Sequence, residues 1–316
     1  MMKTDLKFPR LEHEYVNAFM DSRRWQHYEP RDDDIIICTP YKSGTTWTQM
    51  ICALLIFKTP DLPEPLADLS PWFDMRMAPV EEIVARYEAQ AHRRFIKTHT
   101  ALDGLPYFEN VTYLFCGRDP RDVFISMQNH GKNQNIPHLM EKLVALGITP
   151  PAPPELPDDV NERFRLWLTE PAFPWEEDGF PYWSVFAHTK TFWRYRHLPN
   201  IHFLHYADLK RDLAGQMRRV AEILDISIAE GDWPALVSAA TFDNMKENAD
   251  RIAPDTDHEA WKDNAAFFNK GQNEQWREKL NEESLALYEQ TREIRAPGDL
   301  GQWLEQGFLD SGLSYR

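Results

Sequence analysis

Between residues 42 and 46 the chain reads Lys-Ser-Gly-Thr-Thr. These five residues follow an apolar run ending in "IIIC" at 35–38 and lead into a helical pattern that begins at Thr45. A strand that passes into a helix through such a loop is suited to holding an anion. The helix start offers unpaired backbone N–H groups and the positive end of the helix dipole. Gly44 lets the backbone approach an anion closely. Ser43, Thr45 and Thr46 add hydroxyl donors, and Lys42 adds a point charge. An ordinary Ser/Thr cap would account for the hydroxyls. It would not account for a lysine at the end of a helix that disfavours cations. The loop of nucleotide triphosphatases is spelled G-x-x-x-x-G-K-[ST]. Here the lysine precedes the glycine, so the loop binds an anion in some other setting.

The elements that must position this loop are legible as four short apolar runs, 34–39, 94–99, 111–118 and 201–206. Each is nearly unbroken, as expected of parallel strands covered on both faces. Helical patterns at 45–57, 79–91, 119–131 and 209–225 separate them. The alternation predicts an α/β fold with a parallel central sheet flanked by helices. In such sheets ligands bind at the carboxyl ends of the strands, where the 42–46 loop would sit. Asp119 followed by Pro120 suits a second helix start after the third strand. Residues 147–183 are rich in proline, acidic residues and aromatics. They read as a lid or substrate-binding insertion within a single domain over 1–316, the other reading being a solvated insertion packed by its own aromatics.

The 316 residues carry a formal net charge of −15. That argues against nucleic acid or an anionic membrane as a partner, but not against a small anionic ligand in a local basic pocket. The three cysteines, Cys38, Cys52 and Cys116, show no metal-ligand spacing and predict a reduced, cytoplasmic protein. The first fifteen residues contain no apolar signal core, and no run of about 18 apolar residues exists to span a membrane. No carboxylate or His/Cys cluster stands beside the loop, so no metal is expected.

"YKSGTTW" at 41–47 resembles the 5′-phosphosulfate-binding loop of the cytosolic sulfotransferase family, and further elements follow in that family's order from about residue 30 to residue 280. The resemblance implies a P-loop-like three-layer architecture. It implies 3′-phosphoadenosine 5′-phosphosulfate (PAPS) as donor and adenosine 3′,5′-bisphosphate (PAP) as product. "IKTHT" at 96–100 is similar to the strand end that carries the family's catalytic histidine, here His99, with Lys97 beside the transferred group. "GRDPRDVFISM" at 117–127 resembles the 3′-phosphate element, with Arg118 and, eight residues on, Ser126. Tyr206, Phe242, Met245 and Trp47 match residues around the adenine, and Ala240 stands where the family often has threonine. "FFNKGQNEQW" at 267–276 is similar to the R-K-G-x-x-G-D-W element that closes over the 3′-phosphate. Lys270 and Gly271 are kept, and Asn269 replaces the arginine. The tail after Trp276 lacks the short segment linked to dimers in the family, which leaves a homo-oligomer open.

The implied chemistry is in-line transfer of a sulfuryl group, with demands like those of phosphoryl transfer. His99 would be general base to a hydroxyl or amine of the acceptor, and Lys42 would meet charge developing on the bridging oxygen as the 5′-phosphate leaves. Lys97 would contact the sulfuryl oxygens. Ser43, Gly44, Thr45 and Thr46 would hold the 5′-phosphate, and Arg118, Ser126, Asn269, Lys270 and Gly271 the 3′-phosphate. Aromatics and methionines, with Trp72, Phe73, Tyr107, Phe108 and Trp183 foremost, predict a cleft for a small hydrophobic or phenolic acceptor. The competing readings are a nucleotide-dependent phosphotransferase with an altered loop, which would want carboxylates for magnesium, and a binding-only sensor of PAP.

Overall fold

The computed structural model describes residues 7–150, 152, 154–254 and 259–315. Pro151 and Pro153 of the proline-rich segment lie outside them. Four strands, β1 (Ile35–Cys38), β2 (Phe95–Thr98), β3 (Thr112–Gly117) and β4 (Ile201–His205), form one parallel sheet in the order β2-β1-β3-β4. The register pairs Cys38 with Thr98 on one side and with Phe115 on the other. The chain therefore leaves β1 in one direction for β2 and returns past it to β3. That reversal opens a crevice beyond the carboxyl end of β1, where an open α/β sheet binds its ligands.

Alternate strand residues feed two separate cores. Ile36, Cys38, Ile96, Tyr113 and Phe115 face one way, against Phe124, Phe192 and Trp303. Ile35, Ile37, Phe95, Leu114 and Cys116 face the other, against Ile51, Leu55, Val220 and Leu236. Both faces of the sheet are thus covered, which explains why the strands read as unbroken apolar runs. Three layers result, as the sequence implies.

Helix α1 (Thr45–Phe57) starts as the sequence predicts and buries most of its residues. Helix α2 (Pro120–Asn133) follows β3, capped by Asp119, whose carboxylate accepts from the Arg121 backbone N–H, with Pro120 in the first turn. The pattern at 209–225 divides into two helices, Tyr206–Arg211 and Leu213–Ile223. Asp212 leaves helical geometry at φ −144° and caps the second helix through the Gly215 backbone N–H.

The 147–183 segment is not one loop. Its middle is helix α4 (Val160–Thr169), which sends Phe164, Trp167 and Leu168 into the core beside Phe124. Before the segment stands α3 (Ile136–Ala145), whose Leu139 and Leu143 pack in a satellite cluster with Met77. Of the segment's described residues, only Pro154, Leu156 and residues 181–183 reach the large cleft described next.

Candidate active site

The 42–46 loop lies at the carboxyl end of β1. Gly44 is left-handed at φ +110°, and a Cβ there would press on Cys116 Sγ at 3.2 Å and on Tyr206 at 3.4 Å. Lys42 is also left-handed, at φ +59°, a conformation a lysine holds only where its surroundings enforce it. α1 has no side-chain cap and no acidic residue in its first turn, so its opening N–H groups and dipole are available to a ligand. Ser43 is fully buried, yet its Oγ has no partner among the described residues. An orphaned hydroxyl costs stability unless something meets it. The Oγ atoms of Thr39 and Thr45 bond each other at 2.5 Å.

Arg118 follows β3 directly. Its guanidinium lies over the Tyr206 ring at 4.0 Å. Its terminal nitrogens donate to the carbonyls of Lys42 and Gln272, each at 3.1 Å, while Nε is buried without a partner among the described residues. No carboxylate forms an ion pair with it among the described residues. Arg118 thus ties the 42–46 loop to the 269–272 segment. Ser126, two turns along α2, opens on the same cleft, as do Asn269, Lys270 and Gly271. Gly271 has φ +60°, and a Cβ there would collide with the Phe242 ring at 2.5 Å, so this close approach requires glycine. Trp47 donates its indole N–H to the Ala240 carbonyl at 2.8 Å and meets Tyr206 edge-on at 5.3 Å. Phe242 and Met245 line the same cleft.

His99 comes one residue after β2. A carbonyl only accepts, so its Nδ1–H donates to the Thr39 carbonyl at 2.8 Å. The neutral ring then presents Nε2 with a free lone pair. Tyr41 stacks on the imidazole at 4.1 Å and Trp72 meets it edge-on at 4.8 Å. Burial, reinforced by Lys97, holds the imidazole well below its ordinary titration range, so it is in its basic form at neutral pH. Burial also lowers Lys97 to about 8, against the pull of Asp74. Lys42 is lowered to about 7 by burial and by the charges of Arg118 and Lys97. Among the described residues neither lysine forms an ion pair, and the charges acting on Lys42 are both positive.

Asp74 supports the cleft from behind, and no motif marks it. It is fully buried and accepts from Trp25 Nε1 at 3.0 Å, Thr98 Oγ1 at 2.6 Å and Thr100 Oγ1 at 2.5 Å, and also from Trp72 Nε1. It fixes the end of β2 and the ring that borders His99.

The cleft measures about 1020 Å³. Beyond His99 it continues into an apolar arm lined by Phe19, Met75, Met77, Ile83, Leu139 and Leu146. Of the expected acceptor residues, Trp72 and Trp183 line it. Phe73, Tyr107 and Phe108 do not, which corrects the expectation. Phe73 is 1% exposed and packs on Trp25 at 4.6 Å. Tyr107 stacks on Tyr113 at 5.7 Å and bonds Asn200, and Phe108 packs against Tyr28. Tyr107 and Phe108 sit at the amino ends of β3 and β4, the edge opposite the crevice. Among the described residues one group, Glu12, His13 and Asp103, has ligand atoms close enough to share a cation, and none of the three lines the cleft.

The family described as the sulfotransferase domain matches residues 32–301. A glycolipid sulfotransferase of Mycobacterium bovis is 40% identical over 308 residues, covering 93% of this chain and 94% of that protein. Luciferin sulfotransferase of Photinus pyralis is 25% identical, covering 87% and 75%. A mouse sulfotransferase complexed with PAP superposes with a TM-score of 0.68 at 18% identity, over 92% of this chain and 98% of that one. Retinol dehydratase in a complex with retinol and PAP superposes at 0.64 and 20% identity, over 94% and 89%. Both structures share this fold.

Proposed function

This chain belongs to the sulfotransferase family, and we propose that it transfers a sulfuryl group from PAPS to a hydroxyl of an acceptor with an extended apolar part. The observation that carries the reading is the continuity of one cleft, from the anion loop through His99 into the apolar arm. Its volume lies at the top of the range for ligand sites and suits two ligands end to end. The glycolipid named for the Mycobacterium relative supports the acceptor class.

The donor supplies an activated sulfuryl group. The chain supplies the placement. The orphaned Ser43 hydroxyl, the uncapped start of α1 and the unpaired Arg118 guanidinium fit a ligand with phosphates at two ends. Ser43, Gly44, Thr45 and Thr46 hold the 5′-phosphate, Arg118, Ser126, Lys270 and Gly271 the 3′-phosphate, and Trp47, Tyr206, Phe242 and Met245 the base. His99 takes the acceptor proton at Nε2, which the Thr39 bond leaves unprotonated. Lys42 and Lys97 offer cationic hydrogen bonds to the leaving and transferred oxygens. Three free, buried cysteines support residence in a reducing compartment, the cytoplasm.

The test is transfer of radiolabelled sulfate from PAPS to paired acceptors with one headgroup and either a long acyl chain or none. A chain-dependent rise in kcat/KM supports the acceptor class. Equal rates on both would remove it.

A further inference from the structure

Lys42 is held from two sides by residues outside the donor-binding set. Its Nζ donates to Nδ1 of His130 at 3.4 Å, and it lies 4.2 Å from the centre of the Phe267 ring. His130 sits four residues beyond Ser126 on α2, hence on the same face, and lines the same cleft. Because an ammonium only donates, Nδ1 of His130 accepts and its proton sits on Nε2. The ring packs against Trp261 at 4.7 Å and Phe267 at 5.9 Å. The Trp261 segment is tied to the end of α2, with Asn135 N–H donating to the Ala260 carbonyl at 3.0 Å and Lys262 N–H to the Asn133 carbonyl at 2.9 Å. Phe267 ends a short helix, Asn264–Phe267, two residues before Asn269-Lys270-Gly271.

We propose that His130 is a positioning residue for the catalytic lysine: its neutral imidazole, with the Phe267 ring, holds the Lys42 ammonium in place and favours its charged form. A neutral acceptor and an aromatic face each favour a cation, and both act where water is scarce. Among the described residues the charged or titratable groups acting on His130 are Lys42, His99 and Lys97, with no carboxylate among them, so His130 stays neutral and remains an acceptor. Its pairing offsets part of the burial that pulls Lys42 down to about 7. Phe267 links this hold to the segment proposed for the 3′-phosphate.

The test uses His130→Phe, which keeps an aromatic ring on Trp261 and Phe267 but removes the acceptor, and His130→Gln, which restores an acceptor. Lys42 is titrated by NMR on lysine-labelled full-length protein, its signal assigned with Lys42→Arg. The inference expects the Lys42 midpoint to fall by about one pH unit in H130F and to recover in H130Q. The kinetic arm rests on the proposed function. It expects kcat to fall roughly tenfold in H130F, with the alkaline limb of its pH profile moved down and PAP binding within about twofold. A midpoint unmoved in H130F, or not restored in H130Q, overturns the inference. Absence of sulfuryl transfer by the unmutated protein, with the midpoint shift present, overturns the function and leaves the inference standing.

Discussion

The Nδ1–H of His99 donates to the Thr39 carbonyl at 2.8 Å, and this bond decides which nitrogen of the ring is left for chemistry. Thr39 is the residue after β1 and His99 the residue after β2. Two neighbouring strands therefore fix one tautomer between them, and the lone pair on Nε2 is set by backbone rather than by a carboxylate partner.

His99→Ala is expected to lower kcat by about two to four decades, the usual range for losing a general base. Affinity for PAP should stay within about twofold, because the proposed base acts on the acceptor and not on the nucleotide. Single-turnover rates beside calorimetric titration with PAP check both. A variant with near-normal turnover would remove the assignment.

The pH profile should be displaced toward acid. His99, held well below its ordinary range, is already deprotonated near neutrality, so kcat/KM should show no acid limb near pH 6.5. Lys42 and Lys97 carry charge below their lowered values of about 7 and 8 and lose it above them. The free enzyme should therefore lose kcat/KM as pH rises through 7 to 8. In the donor complex the anion favours both ammonium groups, so the alkaline limb of kcat should lie higher. Coincident limbs in the two profiles would contradict this.

Asp74→Ala should cost at least about 3 kcal/mol of stability, since it strands several buried donors at once. The indoles of Trp25 and Trp72 and the hydroxyls of Thr98 and Thr100 all lose their acceptor. Urea denaturation measures the loss. A midpoint close to that of the unmutated protein would mean that water replaces the carboxylate.

Asn269→Arg tests the placement of the 3′-phosphate corner. Asn269 is exposed at the edge of the cleft, and its carbonyl receives Lys246 Nζ at 3.3 Å. A guanidinium there should tighten PAP by about 1 kcal/mol, several-fold, after the ordering cost of the side chain. Adenosine 5′-phosphate, with no 3′-phosphate, should be unaffected. Equal gains for both ligands would mean a general charge effect on an acidic protein.

Much of this arrangement was legible in the sequence, for physical reasons. The strands are short and apolar because both faces are covered, and the 42–46 loop stands out by setting a lysine against a helix dipole. What was illegible depends on which way a chain turns. Nothing local separates Trp72, which borders His99, from Phe73, which is buried in the core. Tyr107 and Phe108 look equally suited to a cleft, and only topology sends them to the opposite edge of the sheet. Asp74 carries no motif, since its partners come from residues 25, 72, 98 and 100. His130 was findable, because its spacing of four from Ser126 on a helix places both on one face.

The most direct test of the central claim is a single-turnover experiment with sulfur-labelled PAPS, enzyme in excess, and a long-chain glycolipid as acceptor. The account predicts label on the lipid hydroxyl at a rate that collapses in His99→Ala while PAP binding persists. Label that stays on the nucleotide with every acceptor, or that reaches the lipid as fast without His99, would contradict it.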